Sequence, residues 1–246
     1  VTDYTPPSIE INSPVAGEHF DIDGFMTTDW SASDNVDVVS VRIDYSVDQG
    51  EIWKDIANEI DNSGEYTWMV VNDPSDNVQL RAVAYDAIGL SDTSIVLDLS
   101  IDIVYPEIQL IDPPPGSISW LDQQISIQFS QKMEESGFNA QSVLFDSKHS
   151  GNIDAGFSYI DSIQTAFIDL SKGFAGLDTI TITLDASGVS NYYGYALDGN
   201  ADGTGGDSYS FEYTTGFIAD YDDDMVVNGG DLSTFISSYQ QDDYIN

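Results

Sequence analysis

The sequence predicts an all-β protein: two tandem β-sandwiches followed by a short C-terminal acidic loop and helix. Three observations carry this. Apolar and polar residues alternate at period two through most of the chain, turn signals separate the alternating runs at sandwich spacing, and a helical period occurs only near the C-terminus. Taken in order, Val39-Ser40-Val41-Arg42-Ile43-Asp44-Tyr45 places Val39, Val41, Ile43 and Tyr45 on one face of a half-buried strand. Leu97-Asp98-Leu99-Ser100-Ile101-Asp102-Ile103 repeats the pattern, as do Ile125 to Phe129 and Ile180 to Leu184. Asn62-Ser63-Gly64, Asn72-Asp73-Pro74, Ile88-Gly89 and Ser187-Gly188 supply the turns. Boundaries are marked by Thr5-Pro6-Pro7, Val104-Tyr105-Pro106 and Pro113-Pro114-Pro115-Gly116, which gives sandwiches over 1–103 and 104–215. In the remaining segment, 216–246, Leu232, Phe235, Ile236 and Tyr239 recur at helical spacing, predicting an amphipathic helix from near Leu232.

Charge narrows the partners. The 246 residues hold 43 carboxylates against 6 Lys and Arg, a net charge of −37. Lys172 is the last cation, and the 74 residues after it carry 13 carboxylates. Such a chain cannot displace counterions from phosphates, so nucleic acid and anionic membrane surfaces are excluded as partners. No run approaches the length of a membrane-spanning helix, so no membrane insertion is expected. Cysteine is absent, which removes disulfides, thiolate metal sites and a Cys nucleophile. The chain opens VTDYTPPS, without a basic region or apolar stretch, so an exported protein would be present here in mature or trimmed form. The acid is mostly Asp, 34 against 9 Glu. Asp suits turns and hard-cation loops, and an acidic excess also suits solubility in brine; composition leaves both causes open.

Residues 8–101 resemble a bacterial Ig-like module. The resemblance rests on Ile11-Asn12-Ser13-Pro14-Val15-Ala16-Gly17-Glu18, Trp30-Ser31-Ala32-Ser33-Asp34-Asn35-Val36, Tyr45 to Gly50, Gly64-Glu65-Tyr66-Thr67-Trp68 and Ala84 to Gly89. Residues 106–214 resemble a second bacterial Ig-like type found in S-layer and other surface proteins, through Pro113 to Gly116, Ile125 to Met133 and Gly194 to Asn200. The resemblance implies two tandem Ig-like sandwiches on the cell surface or outside the cell, serving as spacers, adhesins or assembly units.

Two acidic loops have calcium-ligand spacing. Counting from Asp220, side-chain oxygens fall at positions 1, 3, 5, 9 and 12 (Asp220, Asp222, Asp224, Asn228 and Asp231), with the carbonyl of Val226 at 7. A hard cation such as Ca²⁺ needs six to eight oxygens around one point, and this spacing wraps a loop to supply them. With the helix that follows, the segment resembles one repeat of a dockerin, an EF-hand-type module. It departs in carrying Met225 at position 6, where the turn wants Gly, and Asp231 at position 12, shorter than the EF-hand Glu though in keeping with the dockerin variety. In the other loop, Asp198, Asn200 and Asp202 stand at positions 1, 3 and 5 and Gly203 at 6. Thr204 offers its carbonyl, and because Tyr209 occupies position 12, closure has to come from Asp207 or from elsewhere. These residues also read as an ordinary Asp/Gly/Asn turn between strands. A looser grouping joins Asp34, Asn35, Asp37 and Asp86 with Asp102, since sandwich loops cluster at the ends, and here too turn chemistry is an alternative.

Catalysis has little support. His19 and His149 fall in different modules, and no nucleophile elbow, zinc-helix or phosphate-loop motif is present. The reading that follows is a non-catalytic, exported, calcium-binding structural protein of a surface layer, fibre or matrix. It would self-assemble as a homo-oligomer or polymer or join a surface or matrix protein partner, with Val1–Pro7 or Asp242–Asn246 as strand donors. The alternative is a spacer and docking fragment of a larger exported enzyme.

Overall fold

The computed structural model describes residues 4–116, 124–149, 151–170, 178–215 and 229–242. By backbone proximity the chain divides into two units, Val1–Val104 and Tyr105–Asn246. The architecture is nearly all β, as the alternation predicts.

Unit 1 contains β1 (Ser8–Ser13), β2 (His19–Asp21), β3 (Phe25–Ser33), β4 (Ser40–Ser46), β5 (Lys54–Ile60), β6 (Glu65–Met69), β7 (Ser75–Tyr85) and β8 (Ser91–Asp102). One sheet runs β1-β3-β6 and the other β2-β8-β7-β4-β5, with β2 parallel to β8 and the remaining pairs antiparallel. Val41, Ile43 and Tyr45 point into the core with Met26, Trp30, Trp68, Leu80 and Ile101. Val39 does not: it precedes β4, is exposed, and donates its N–H to the Tyr85 carbonyl.

The alternation predicted through Leu97 also fails, for a geometric reason. Val78 pairs with Leu99 but Leu80 pairs with Val96, so β8 carries one extra residue, a β-bulge. Asp98 takes it up at φ 59°. The inward face changes phase there: Leu99 and Ile101 are buried while Ile95 and Leu97 are exposed.

On the other face of β4, Asp44 is fully buried beneath two guanidinium groups, accepting from Arg42 Nε and Arg81 Nε at 2.8 Å each. The Arg81 guanidinium lies 4.2 Å from the Trp53 ring centre. Arg42 also reaches Asp55 on this face, while Lys54, opposite Tyr45 in the register, pairs with Asp73 beside the Tyr45 hydroxyl, so all three Lys and Arg residues of unit 1 have acidic partners.

Unit 2 contains β9 (Ile108–Asp112), β10 (Ile125–Phe129), β11 (Val143–Ser147), β12 (Ala155–Ile160), β13 (Thr165–Leu170), β14 (Thr179–Leu184) and β15 (Tyr209–Thr214). Its sheets are β12-β13-β10-β9 and β11-β14-β15. Ile125, Ile127 and Phe129 come from one sheet and Ile180, Ile182 and Leu184 from the other, all fully buried in one core. Each such side chain contributes about 1.5–3 kcal/mol, so these facing strips hold the sandwich closed.

The Pro113–Gly116 segment is a strand end rather than a boundary. It follows β9, and Tyr213 donates its hydroxyl to the Pro113 carbonyl at 2.5 Å while Gly116 N–H reaches Glu212. Helix α1 spans Gly229–Asp242, three residues earlier than Leu232, and Leu232 and Ile236 of its predicted apolar face are exposed.

Candidate metal centre

The Asp198 loop lies in the long excursion between β14 and β15. Main-chain bonds close it: Gly199 N–H donates to Asp207 O at 2.9 Å, Gly206 N–H to Leu197 O at 2.8 Å, and Asp198 N–H to Pro106 O at 2.9 Å. Asp198 and Asp207 therefore sit side by side as an isolated parallel bridge, which brings the carboxylate of Asp207 to the loop that Asp198 opens. Gly203 has φ 86°, the left-handed turn that position 6 requires. At Gly205 a Cβ would lie 2.2 Å from the Tyr105 ring and 2.6 Å from the Ala196 carbonyl, so only glycine fits.

Within this frame, carboxylate oxygens of Asp198, Asp202 and Asp207 all come within 4.8 Å of one another. Asp198 is 1% exposed. Its oxygens accept from Asp202 N–H at 3.2 Å and Gly203 N–H at 2.7 Å, which aims the group and leaves further lone pairs on each oxygen. Asn200 accepts from Asp202 N–H at 3.0 Å and donates its amide to Asp202 at 3.1 Å, and Thr204 N–H reaches Asp202 at 2.9 Å. Asn200 and Thr204 thus brace Asp202. Among the described ion pairs none reaches these three carboxylates. Like charges this close repel, and a hard divalent cation is the partner their oxygen chemistry suits. Sequence spacing found the carboxylates but missed Tyr105 and Gly205, which wedge the loop; the density of Gly was the available signal.

Of the C-terminal set, Asp220, Asp222, Asp224, Val226 and Asn228 lie outside the described residues, and Asp231 falls in the first turn of α1.

The looser grouping is corrected in part. Asp102 ends β8 whereas Asp86 lies in the turn before β8 begins, and twelve residues of strand put about 35 Å between those ends. Asp102 instead meets His19 Nδ1 at 3.2 Å. Asp34 and Asp86 do belong to one end: the Val39–Tyr85 bond ties the loop after β3 to the turn after β7.

Among the described residues, Ser147, His149 and Asp178 make one Ser/His/Asp grouping, in which the serine hydroxyl bonds the acid, and Ser100, His19 and Asp102 make another. Ser100 Oγ at 2.7 Å and Asp102 Oδ2 at 3.2 Å both approach the same ring nitrogen, Nδ1. A relay needs the acid on one nitrogen and the nucleophile on the other, so this contact is a structural one.

Residues 102–215 match the family model of a bacterial Ig-like domain. No curated protein matches the chain. Among solved structures, the fibronectin(III)-like modules of Clostridium thermocellum CbhA align over 85% of this chain and 94% of theirs, at 15% identity and TM-score 0.30. Titin domains Z1Z2, solved with telethonin, cover 87% and 98% at 10% identity and TM-score 0.35. Sidekick-1 immunoglobulin domains 1–5 cover 85% and 39% at 11% identity and TM-score 0.37. No described helix is long and apolar enough to cross a membrane. The chain is an all-β protein of Ig-like sandwiches, and its residues 102–215 match the bacterial Ig-like domain.

Proposed function

We propose that this is an exported, non-catalytic structural protein of a surface layer, fibre or matrix, with Ca²⁺ bound in the Asp198 loop of its second sandwich. The observation that carries the reading is the convergence of Asp198, Asp202 and Asp207 in a loop already closed by main-chain bonds. Asn200 and Thr204 support that convergence, and the sequence spacing of Asp220, Asp222, Asp224, Val226, Asn228 and Asp231 suits a second calcium loop of the dockerin kind. Calcium neutralises carboxylates that otherwise repel, stiffens each module, and by mass action favours the ordered, assembled state. Sedimentation velocity in millimolar Ca²⁺ and in chelator tests this: calcium-dependent assemblies that the Asp198→Asn variant fails to form support it. A monomer in both conditions overturns the self-assembly step. The exposed Leu232 and Ile236 of α1 favour a second reading, in which the sandwiches are spacers and the tail docks on a surface or matrix protein. That reading predicts a monomer that gains mass only with such a partner.

A further inference from the structure

Two buried carboxylates in the described chain are fully satisfied by donors, and their satisfaction makes a third conspicuous. Asp44 is neutralised by Arg42 and Arg81. Asp178, fully buried, accepts from the Ser147 hydroxyl and the N–H groups of Lys148, His149 and Thr179. Asp86 is 4% exposed, and its Oδ1 accepts from Ile88 N–H at 3.0 Å and Leu90 N–H at 2.7 Å, closing the β7–β8 turn. Its Oδ2 is buried with no hydrogen-bond partner. Asp34 repeats the arrangement: Oδ2 accepts from Val36 N–H at 2.9 Å and Asp37 N–H at 3.2 Å, while Oδ1 is buried and orphaned. Among the described residues only four buried side-chain polar atoms are orphaned, and the two carboxylate oxygens among them fall in this one pair of loops.

An ionised carboxylate only accepts, so neither oxygen can satisfy the other. The Lys and Arg side chains of unit 1 are spent elsewhere, on Asp44, Asp55 and Asp73. Leaving a charged oxygen buried and unpaired is costly. We propose that Asp34 and Asp86 hold a hard divalent cation, Ca²⁺, at this end of unit 1. Their two charges match the ion, Oδ1 of Asp34 and Oδ2 of Asp86 are the first ligands, and water and main-chain carbonyls complete the shell. The clamped opposite oxygens fix both side chains before the ion arrives.

The test is an amide-resolved NMR titration of the full chain with Ca²⁺ alone. The N–H signals of Val36, Asp37, Ile88 and Leu90, which clamp the two carboxylates, are expected to shift together and saturate, and to do so equally in Asp198→Asn. Signals of Asp202, Gly203 and Thr204 report the other loop separately, so failure of either site is read without the other. Asp86→Asn retains an oxygen for the turn and is expected to weaken binding at the four reporters by about tenfold or more. Reporters unmoved in millimolar Ca²⁺, or moving equally in Asp34→Asn and Asp86→Asn, overturn the proposal in favour of buried water or a proton. Should a variant fail to fold, the wild-type titration alone decides.

Discussion

Replacing Asp198 by Ala or Asn separates the structural from the ionic work of one carboxylate. In chelator, the Ala variant removes two bonds, stripping Gly203 N–H of its acceptor and leaving Asp202 N–H with Asn200 alone. Each bond contributes about 0.5–1.5 kcal/mol net, so the loss is about 1–3 kcal/mol. The Asn variant keeps one oxygen and loses about half of that. With roughly 3–5 °C per kcal/mol for a domain of this size, Ala lowers one melting transition by about 5–10 °C and thereby labels it as unit 2. Calcium at tenfold excess over Kd should raise that transition in the wild type by RT ln 11, about 1.4 kcal/mol or roughly 5 °C. In Asp198→Asn the rise should vanish, since a neutral amide replaces the central anionic ligand. Differential scanning calorimetry of the full chain, with and without Ca²⁺, reads all of these. A calcium-dependent rise that survives intact in Asp198→Asn refutes the site.

Five further outcomes follow from the structure. Gly205→Ala should cost about 1–3 kcal/mol of overpacking against Tyr105 and the Ala196 carbonyl, and should weaken calcium binding although no ligand is touched; titration calorimetry checks it. Asp44→Ala should destabilise unit 1 by about 3 kcal/mol, the low end for a broken buried pair because Arg42 and Arg81 keep some access to water. In urea melts, Asp55→Ala, at an exposed partner, should change stability by less than about 0.5 kcal/mol. Burial, with the Asp73 carboxylate beside it, pushes the Tyr45 phenol up to about 12 from its usual 10.0. Because the folded state holds the proton more tightly, that stability is intact below pH 10 and should be lost as pH rises toward 12, an alkaline loss that is smaller in Tyr45→Phe because the raised Tyr159 and Tyr213 remain. In hydrogen exchange, Gly199 and Gly206 amides should be protected even in chelator, whereas Asp202, Gly203 and Thr204 should gain protection with Ca²⁺.

The strands that sequence alternation predicted well are those whose apolar residues stay in phase along the whole element. β10 and β14 are such strands, with Ile, Phe and Leu buried at every second position. β8 was legible only at its C-terminal half, because a single Asp able to adopt the left-handed region inserts a bulge, and no alternation rule registers that. The pattern in α1 is helical as read, yet amphipathicity does not say what covers the apolar face, and Leu232 and Ile236 stand exposed. Spacing identified Asp198 and Asp202 and offered Asp207 as one source of closure; what brings Asp207 beside Asp198 is a main-chain bridge between Gly199 and Asp207 that only the fold creates. The Asp102 assignment failed because strand length, not sequence distance, decides which loops share an end.

These bonds also decide what kind of calcium dependence is physically reasonable. In a structural zinc finger the ligands are scattered until the metal gathers them, and binding energy is folding energy. Here the bridge at Asp198 and Asp207, the Gly206 to Leu197 bond and the wedge of Tyr105 over Gly205 put the carboxylates together without an ion. The cost of assembling the site is met by the sandwich core, whose Leu197 is fully buried one residue before Asp198. A bound ion would therefore have little folding left to do, and its effect should fall on Asp202 to Thr204, the stretch held mainly by carboxylate and amide side chains. Removing calcium should loosen that stretch and lower the melting point while leaving the β-sheet circular dichroism unchanged. If the Asp198 loop holds calcium as proposed, the fold should persist through calcium loss, and only the stiffness of Asp202 to Thr204 and the contacts that depend on neutralised carboxylates should respond.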